Sequence, residues 1–212
     1  MQGICFKEPL FHATVEGLKT QTRRLLSKKD NDLVEQFMTG YIAKGFGNIV
    51  PSGIIKPRYK VGDIVYLKEA YCLINPVEWG AQYKYDKRVF VENGLPIEWK
   101  NKLFMPAEYA RYFIEITAVR CERLQEISNE DCMKEGIKKF REYEDLCKIP
   151  ISQIGSDDDV YHWDYDLAQN MGIGTVDKSP IGAFAALIDS IKKGTWDANP
   201  YVFVYEYKLI KK

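Results

Sequence analysis

Apolar and polar positions alternate most regularly between residues 111 and 121. Tyr112, Ile114, Ile116 and Ala118 fall on one face there, and Phe113, Glu115, Thr117 and Val119 on the other. A period of two marks a half-buried strand, so this stretch predicts a β-strand. Two more strands are predicted by runs rich in β-branched and aromatic residues: 64–70 (IVYLKEA), after the turn Tyr59-Lys60-Val61-Gly62-Asp63, and 201–209 (YVFVYEYKL), launched by Asn199-Pro200. Helix signals lie between them. Pro9 near a first turn and Gly17 as a stop delimit a short helix over 9–16. Ser128 is a candidate N-cap with Asp131 three residues on, and Gly136 closes that helix. An amphipathic stretch over 184–193 ends at Gly194. The threonines of Gly17-Leu18-Lys19-Thr20-Gln21-Thr22-Arg23-Arg24 predict entry to a further strand.

Three polar, Gly-punctuated stretches interrupt this frame and read as insertions: 27–57, with a short helix around 32–41; 72–100, a hairpin-like excursion carrying Trp79, Tyr83, Tyr85 and Trp99; and 138–180. There is no internal repeat. The order helix, strands, helix, helix, strand predicts one α+β domain over 1–212, mainly β: a small barrel with helices at its ends rather than a doubly wound sheet.

Composition narrows the functional classes. With 212 residues, 46% hydrophobic and 28% charged, the chain can bury a core. No apolar run approaches the ~18 residues that span a bilayer, and MQGICFKEPLF lacks the basic and apolar regions of a signal peptide. The expectation is a cytoplasmic protein with no membrane partner. Cys5, Cys72, Cys121, Cys132 and Cys147 are odd in number and never spaced as CxxC, which predicts reduced thiols. With only His12 and His162 as imidazoles, no metal site is expected, and no cofactor motif occurs: GxGxxG, GxxxxGK[ST] and GxSxG are all absent. Thirty basic residues balance thirty acidic ones, but unevenly. Residues 1–68 carry 11 Lys and Arg against 6 Asp and Glu, whereas 122–166 carry 6 against 13. That split suits a pocket for one small ligand better than a long basic track for a polymer.

Four stretches, in this order and spacing, resemble the ASCH domains of the PUA-like superfamily, particularly the long members found in phages and prophages. They are Gly17-Leu18-Lys19-Thr20-Gln21-Thr22-Arg23; Tyr59-Lys60-Val61-Gly62-Asp63 running to Glu69; Ile114 to Arg120, continuing through Glu122-Arg123-Leu124 to Glu135-Gly136-Ile137; and Trp196-Asp197-Ala198-Asn199-Pro200-Tyr201-Val202. The resemblance implies a compact PUA-like β-barrel with flanking helices around a cleft. It also implies a nucleoside or RNA-related role, since small bacterial members remove the acetyl group of N4-acetylcytidine. Carried over position by position, the family's catalytic Lys, Thr and Glu correspond to Lys19, Thr22 and Glu135.

Chemistry is consistent with that assignment. A threonine hydroxyl needs a base in reach to act as a nucleophile, and a lysine serves if burial or a nearby cation lowers its pKa. Glu135 could orient the lysine or shuttle a proton. Arg23 and Arg24, with Lys28 and Lys29, are candidates for phosphate contacts. Glu69 could meet a base edge, and Tyr66, Trp79 and Trp99 could stack on an unpaired base, each such contact being worth about 1–3 kcal/mol. Each has a plainer alternative: a solvated face for the cations, an ion pair for Glu69, core packing for the aromatics. Asp157-Asp158-Asp159 reads as a solvated loop and Cys132 as a buried thiol. Three functions stay open: an amidohydrolase of acylated nucleobases, a non-catalytic module binding single-stranded RNA or a modified nucleoside, and a phage interaction protein using the barrel as a scaffold.

Overall fold

The computed structural model describes residues 1–43, 53–73, 81–83, 99–139, 161–163 and 176–210. Its centre is a five-stranded sheet in the order β1 (Gly3–Cys5), β3 (Ile64–Lys68), β6 (Phe113–Arg123), β10 (Tyr201–Ile210), β2 (Gln21–Leu25). All neighbours are antiparallel except the β1–β3 pair. β6 and β10 run side by side for ten residue pairs, with a register shift between Glu206 and Tyr207. The alternation read from the sequence is real. Ile114 and Ile116 are fully buried, while Thr117 faces solvent.

Helices α1 (Glu8–Val15) and α3 (Asn129–Lys134) end beside β2, and α4 (Pro180–Ile191) packs on α3. The chain is thus α+β, but among the described residues helices carry as much of it as strands do. Much of that excess is α2 (Lys28–Ala43), which replaces the short helix expected within 27–57. Val34 and Met38 of α2 are buried against Cys121 and Tyr201, so two apolar residues one turn apart suffice to dock a mostly polar helix on the sheet. Of the excursion over 72–100, β4 (Tyr71–Leu73) and β5 (Ala81–Tyr83) form the expected antiparallel pair. Within 138–180, β7 (Lys138–Lys139), β8 (Tyr161–His162) and β9 (Val176–Asp177) make a small three-stranded sheet. A short helix α5 (Thr195–Ala198) leads into β10.

The closed barrel is not formed among the described residues. The sheet stays open, with β1 and β2 as its two edges, because β1 is three residues long and no ladder joins it to β2. Instead the Arg24 guanidinium reaches from β2 and donates to the Cys5 carbonyl at 2.8 Å. A cavity of about 680 Å³ opens along this gap.

Candidate functional site

Two helix endings set the site. Gly17, at φ +79°, stops α1, and the turn that follows is pinned by the Leu18 and Lys19 amides, both donating to Ala13 O (2.8 and 2.9 Å). α3 begins where the sequence indicates: the Ser128 side chain caps it by accepting from the Asp131 amide at 3.1 Å. Gly136, at φ +96°, then turns the chain beneath Lys19. A Cβ on Gly136 would sit 3.3 Å from Leu10 Cδ2 and 3.4 Å from Lys19 Cβ, so both the backbone angle and the space call for glycine. The Thr20 amide donates to Lys134 O (2.9 Å) and locks the α3 terminus to the start of β2.

Lys19 is 2% exposed, and its Nζ donates to three acceptors at 2.7 Å each: Gln21 O, Glu135 O and Glu135 Oε2. An ammonium has three protons, so its donor capacity is filled. Burial pushes the Lys19 pKa below its ordinary value, against the opposing pull of Glu135. The other carboxylate oxygen of Glu135 accepts from Arg23 Nη1 at 3.1 Å. Arg23 Nη2 in turn reaches Glu122 (2.6 Å) and Asp131 (3.1 Å), and Arg120 joins Glu122, Asp131 and Glu206. With Lys134 on Asp131 at 3.3 Å, four cations and four carboxylates from β2, β6, β10, α3 and the turns flanking β2 and α3 form one network at the sheet edge. The cross-strand register explains its assembly, since Arg23, Val204 and Arg120 stand in one row. Burial would raise the Asp131 pKa, but Gln21, Arg23 and Arg120 outweigh it and hold the carboxyl below its ordinary value. The fully buried Gln21 amide lies by this group without a hydrogen bond of normal geometry to any described residue.

Of the residues singled out from the sequence, Lys19, Glu135 and Arg23 meet directly. Thr22 is buried on β2 next to the Gln21 carbonyl that Lys19 holds, but strand alternation puts its side chain on the face of Arg24, opposite Arg23. Among the described residues its hydroxyl has no hydrogen-bond partner, so no Thr22–Lys19 bond is formed. Arg23 is committed to internal carboxylates and is not the phosphate ligand expected. Its β2 neighbour Arg24, one residue on, projects from the opposite face into the 680 Å³ cavity. Lys28 and Lys29 are exposed at the start of α2. Tyr66 is a packing residue: it is buried with Tyr71 and Met105, and its hydroxyl donates to Met105 O at 2.9 Å. Glu69 is fully buried and takes a two-pronged contact from Arg111 (2.9 and 2.6 Å), the ion-pair alternative to base recognition. Trp99 is half-buried, while Trp79, Cys147 and Asp157-Asp158-Asp159 lie outside the described residues. The Cys132 thiol, buried and pushed up to about 12, is structural.

Arg120, Glu122 and Asp131 were not anticipated as parts of this group. The one available signal was Arg120 and Glu122 two apart on a strand, which places them on the same face. Among the described residues no cluster of His, Cys, Asp or Glu has the makings of a metal site, no disulfide joins Cys5, Cys72, Cys121 or Cys132, and no helix is long and apolar enough to cross a membrane. No family model, no curated protein and no solved structure matches the chain.

Proposed function

We propose that this chain is an ASCH-type, PUA-like protein that takes an acylated nucleobase, such as that of N4-acetylcytidine, and removes the acyl group with Thr22, Lys19 and Glu135. The observation that carries the reading is the Lys19–Glu135 pair: two charged residues 116 positions apart, brought to 2.7 Å at almost no exposure. Such a pair is a poor device for stability, because removing two charges from water costs most of what their attraction returns. A buried lysine held below its ordinary value, with a specific carboxylate partner, marks a candidate site.

The chemistry runs as follows in this reading. Thr22 Oγ1 attacks the acyl carbon, and Lys19, neutral at that moment, takes the hydroxyl proton. The C–N bond then breaks, and the exocyclic nitrogen leaves as the amine with the proton that Lys19 returns. Water hydrolyses the resulting ester on Thr22 and releases the carboxylic acid. Burial favours the neutral lysine that the first step needs, and Glu135 steadies the ammonium that forms.

A second reading, binding of a modified nucleoside or single-stranded RNA without turnover, has its own support: all three Lys19 protons are engaged, and Thr22 is not bonded to Nζ. Incubation with N4-acetylcytidine, followed by chromatography, separates the two. Hydrolysis predicts cytidine and acetate from the wild type and a loss of about 10²–10⁴-fold in Thr22→Val, the range of a lost catalytic group. Binding of N4-acetylcytidine with no cytidine between pH 6 and 9 selects the second reading. Neither turnover nor binding refutes both.

A further inference from the structure

The two arginines of β2 differ in one respect. Arg23 meets three carboxylates, whereas Arg24, among the described residues, forms no ion pair. Its one hydrogen bond goes to the Cys5 carbonyl, its guanidinium lies 5.3 Å from the Phe6 ring, and its Nε is buried without a partner. Burial holds the Arg24 guanidinium below its ordinary value, and Glu135, whose charge pulls the other way, is already spent on Lys19 and Arg23. A cation partly withdrawn from water without a counter-charge is costly, and an anion bound beside it would offset that cost.

Arg24 faces the cavity between the sheet edges, which has the size of a small-molecule pocket. Lys56, Arg58 and Lys68 line the same cavity. Among its described lining residues Asp30 is the one carboxylate, and that group already accepts from Ser27 Oγ at 2.7 Å. Ser27 and Asp30 belong to the start of the sixteen-residue helix α2, whose N-terminal amides add positive potential. One wall is aromatic: Tyr59 and Tyr205 meet edge to face at 5.3 Å, and Phe203 lies tilted against Tyr205. The Tyr59 hydroxyl donates to Gly3 O, while the Tyr205 hydroxyl accepts from the Arg58 amide and keeps its own proton to donate.

We propose that this cavity is a binding site for a phosphate group carried by a planar base, that is, a nucleotide, with Arg24 at its floor and Lys56 and Arg58 at its rim. The anion site stands on Arg24 and the cavity alone; that the anion belongs to a nucleotide rests on the reading given above. The site is distinct from the Lys19–Glu135 pair and requires no turnover there.

Titration calorimetry on the full chain with inorganic phosphate, cytidine 5′-monophosphate and cytidine tests it, beside thermal melts. Phosphate and the monophosphate bind the wild type and weaken with added salt. Cytidine does not displace phosphate. Arg24→Met loses phosphate affinity by tenfold or more while its Tm stays level or rises, because the variant removes a half-buried charge that has no ion-pair partner among the described residues. A purely structural arginine would show the opposite, a lowered Tm. Lys56→Ala/Arg58→Ala, both exposed positions, keeps the fold and weakens phosphate three- to tenfold. No binding of phosphate or the monophosphate at millimolar concentration overturns the proposal, as does unchanged affinity in Arg24→Met or in the double variant. A 5′-phosphorylated oligocytidine run alongside identifies the source: tighter binding than the monophosphate marks an RNA end, and weaker binding a free nucleotide. Failure of N4-acetylcytidine turnover with phosphate binding intact refutes only the catalytic reading, and the converse result refutes only this one.

Discussion

Replacing Glu135 by leucine strands Lys19. Its Nζ keeps two carbonyl acceptors, Gln21 O and Glu135 O, but loses its counter-charge, while Arg23 retains Glu122 and Asp131. Breaking a buried ion pair on one side costs about 3–5 kcal/mol. The structure supplies an upper bound, because a stranded lysine escapes by losing its proton. At pH 7 that neutralisation, starting from the ordinary value of 10.5, costs about 5 kcal/mol. At pH 9 the same step costs about 2 kcal/mol, so the deficit of Glu135→Leu shrinks as pH rises. Lys19→Met is milder, since Glu135 keeps Arg23 at 3.1 Å. The double variant Lys19→Met/Glu135→Leu, an apolar pair of similar volume, returns close to wild-type stability or exceeds it. Urea unfolding at pH 7 and pH 9 measures all four proteins, and a loss of 3–5 kcal/mol corresponds to a Tm drop of roughly 6–20 °C in a chain of this size. A double variant whose loss equals the sum of the single losses would refute the reasoning, because it would mean that Lys19 and Glu135 act independently and neither is stranded by removal of the other. A deficit in Glu135→Leu independent of pH would refute the stranded-lysine mechanism.

Two further outcomes are expected. His162 is buried and its pKa is lowered to about 4, chiefly by burial and then by Lys138. The unfolded imidazole binds a proton near pH 6.5 and the folded one does not, so stability is full above pH 6.5 and falls by about 3 kcal/mol as pH drops toward 4. Thermal melts between pH 4 and 8 show this slope, and His162→Phe flattens it; an unchanged slope in that variant counts against the assignment. Gly136→Ala puts a side chain at φ +96° against Leu10 and Lys19, costing about 1–3 kcal/mol by urea unfolding. A neutral result there would mean that the turn beneath Lys19 is not constrained.

The sequence made local structure legible wherever one chemical signal dominated. Ser128 and Gly136 bracket α3 because a hydroxyl cap and a left-handed stop are contained within nine residues. The alternation around Ile114 and Ile116 reveals β6 for the same reason. Length was harder to read. α2 begins at Lys28 rather than near 32, since its first turn is polar and is held by the Ser27–Asp30 cap instead of by apolar periodicity. β1 has three residues and owes its existence to the parallel ladder with Tyr66, Leu67 and Lys68, which no local pattern encodes. At the site, Lys19 and Glu135 were paired through the family resemblance. Glu122, Asp131 and Arg120 were missed because their meeting with Arg23 depends on strand register across about a hundred residues. Arg23 and Arg24 were indistinguishable in the sequence; adjacency on a strand sends them to opposite faces, one to carboxylates and one to a cavity.

The central place of β10 has a consequence for biosynthesis. Among the described residues β2 pairs with β10 alone, where Thr22 lies opposite Tyr205, 183 residues later. At ribosomal speeds of about 5–20 residues per second, β2 and its cluster of cations wait roughly 10–40 s before the strand that seats them has been made. Throughout that interval the nascent chain carries Arg23 without Arg120's row beside it and an apolar β6 with a bare flank. The five-stranded sheet is therefore completed late, and the network that holds the Lys19–Glu135 contact gains its β2–β10–β6 row only when β10 arrives.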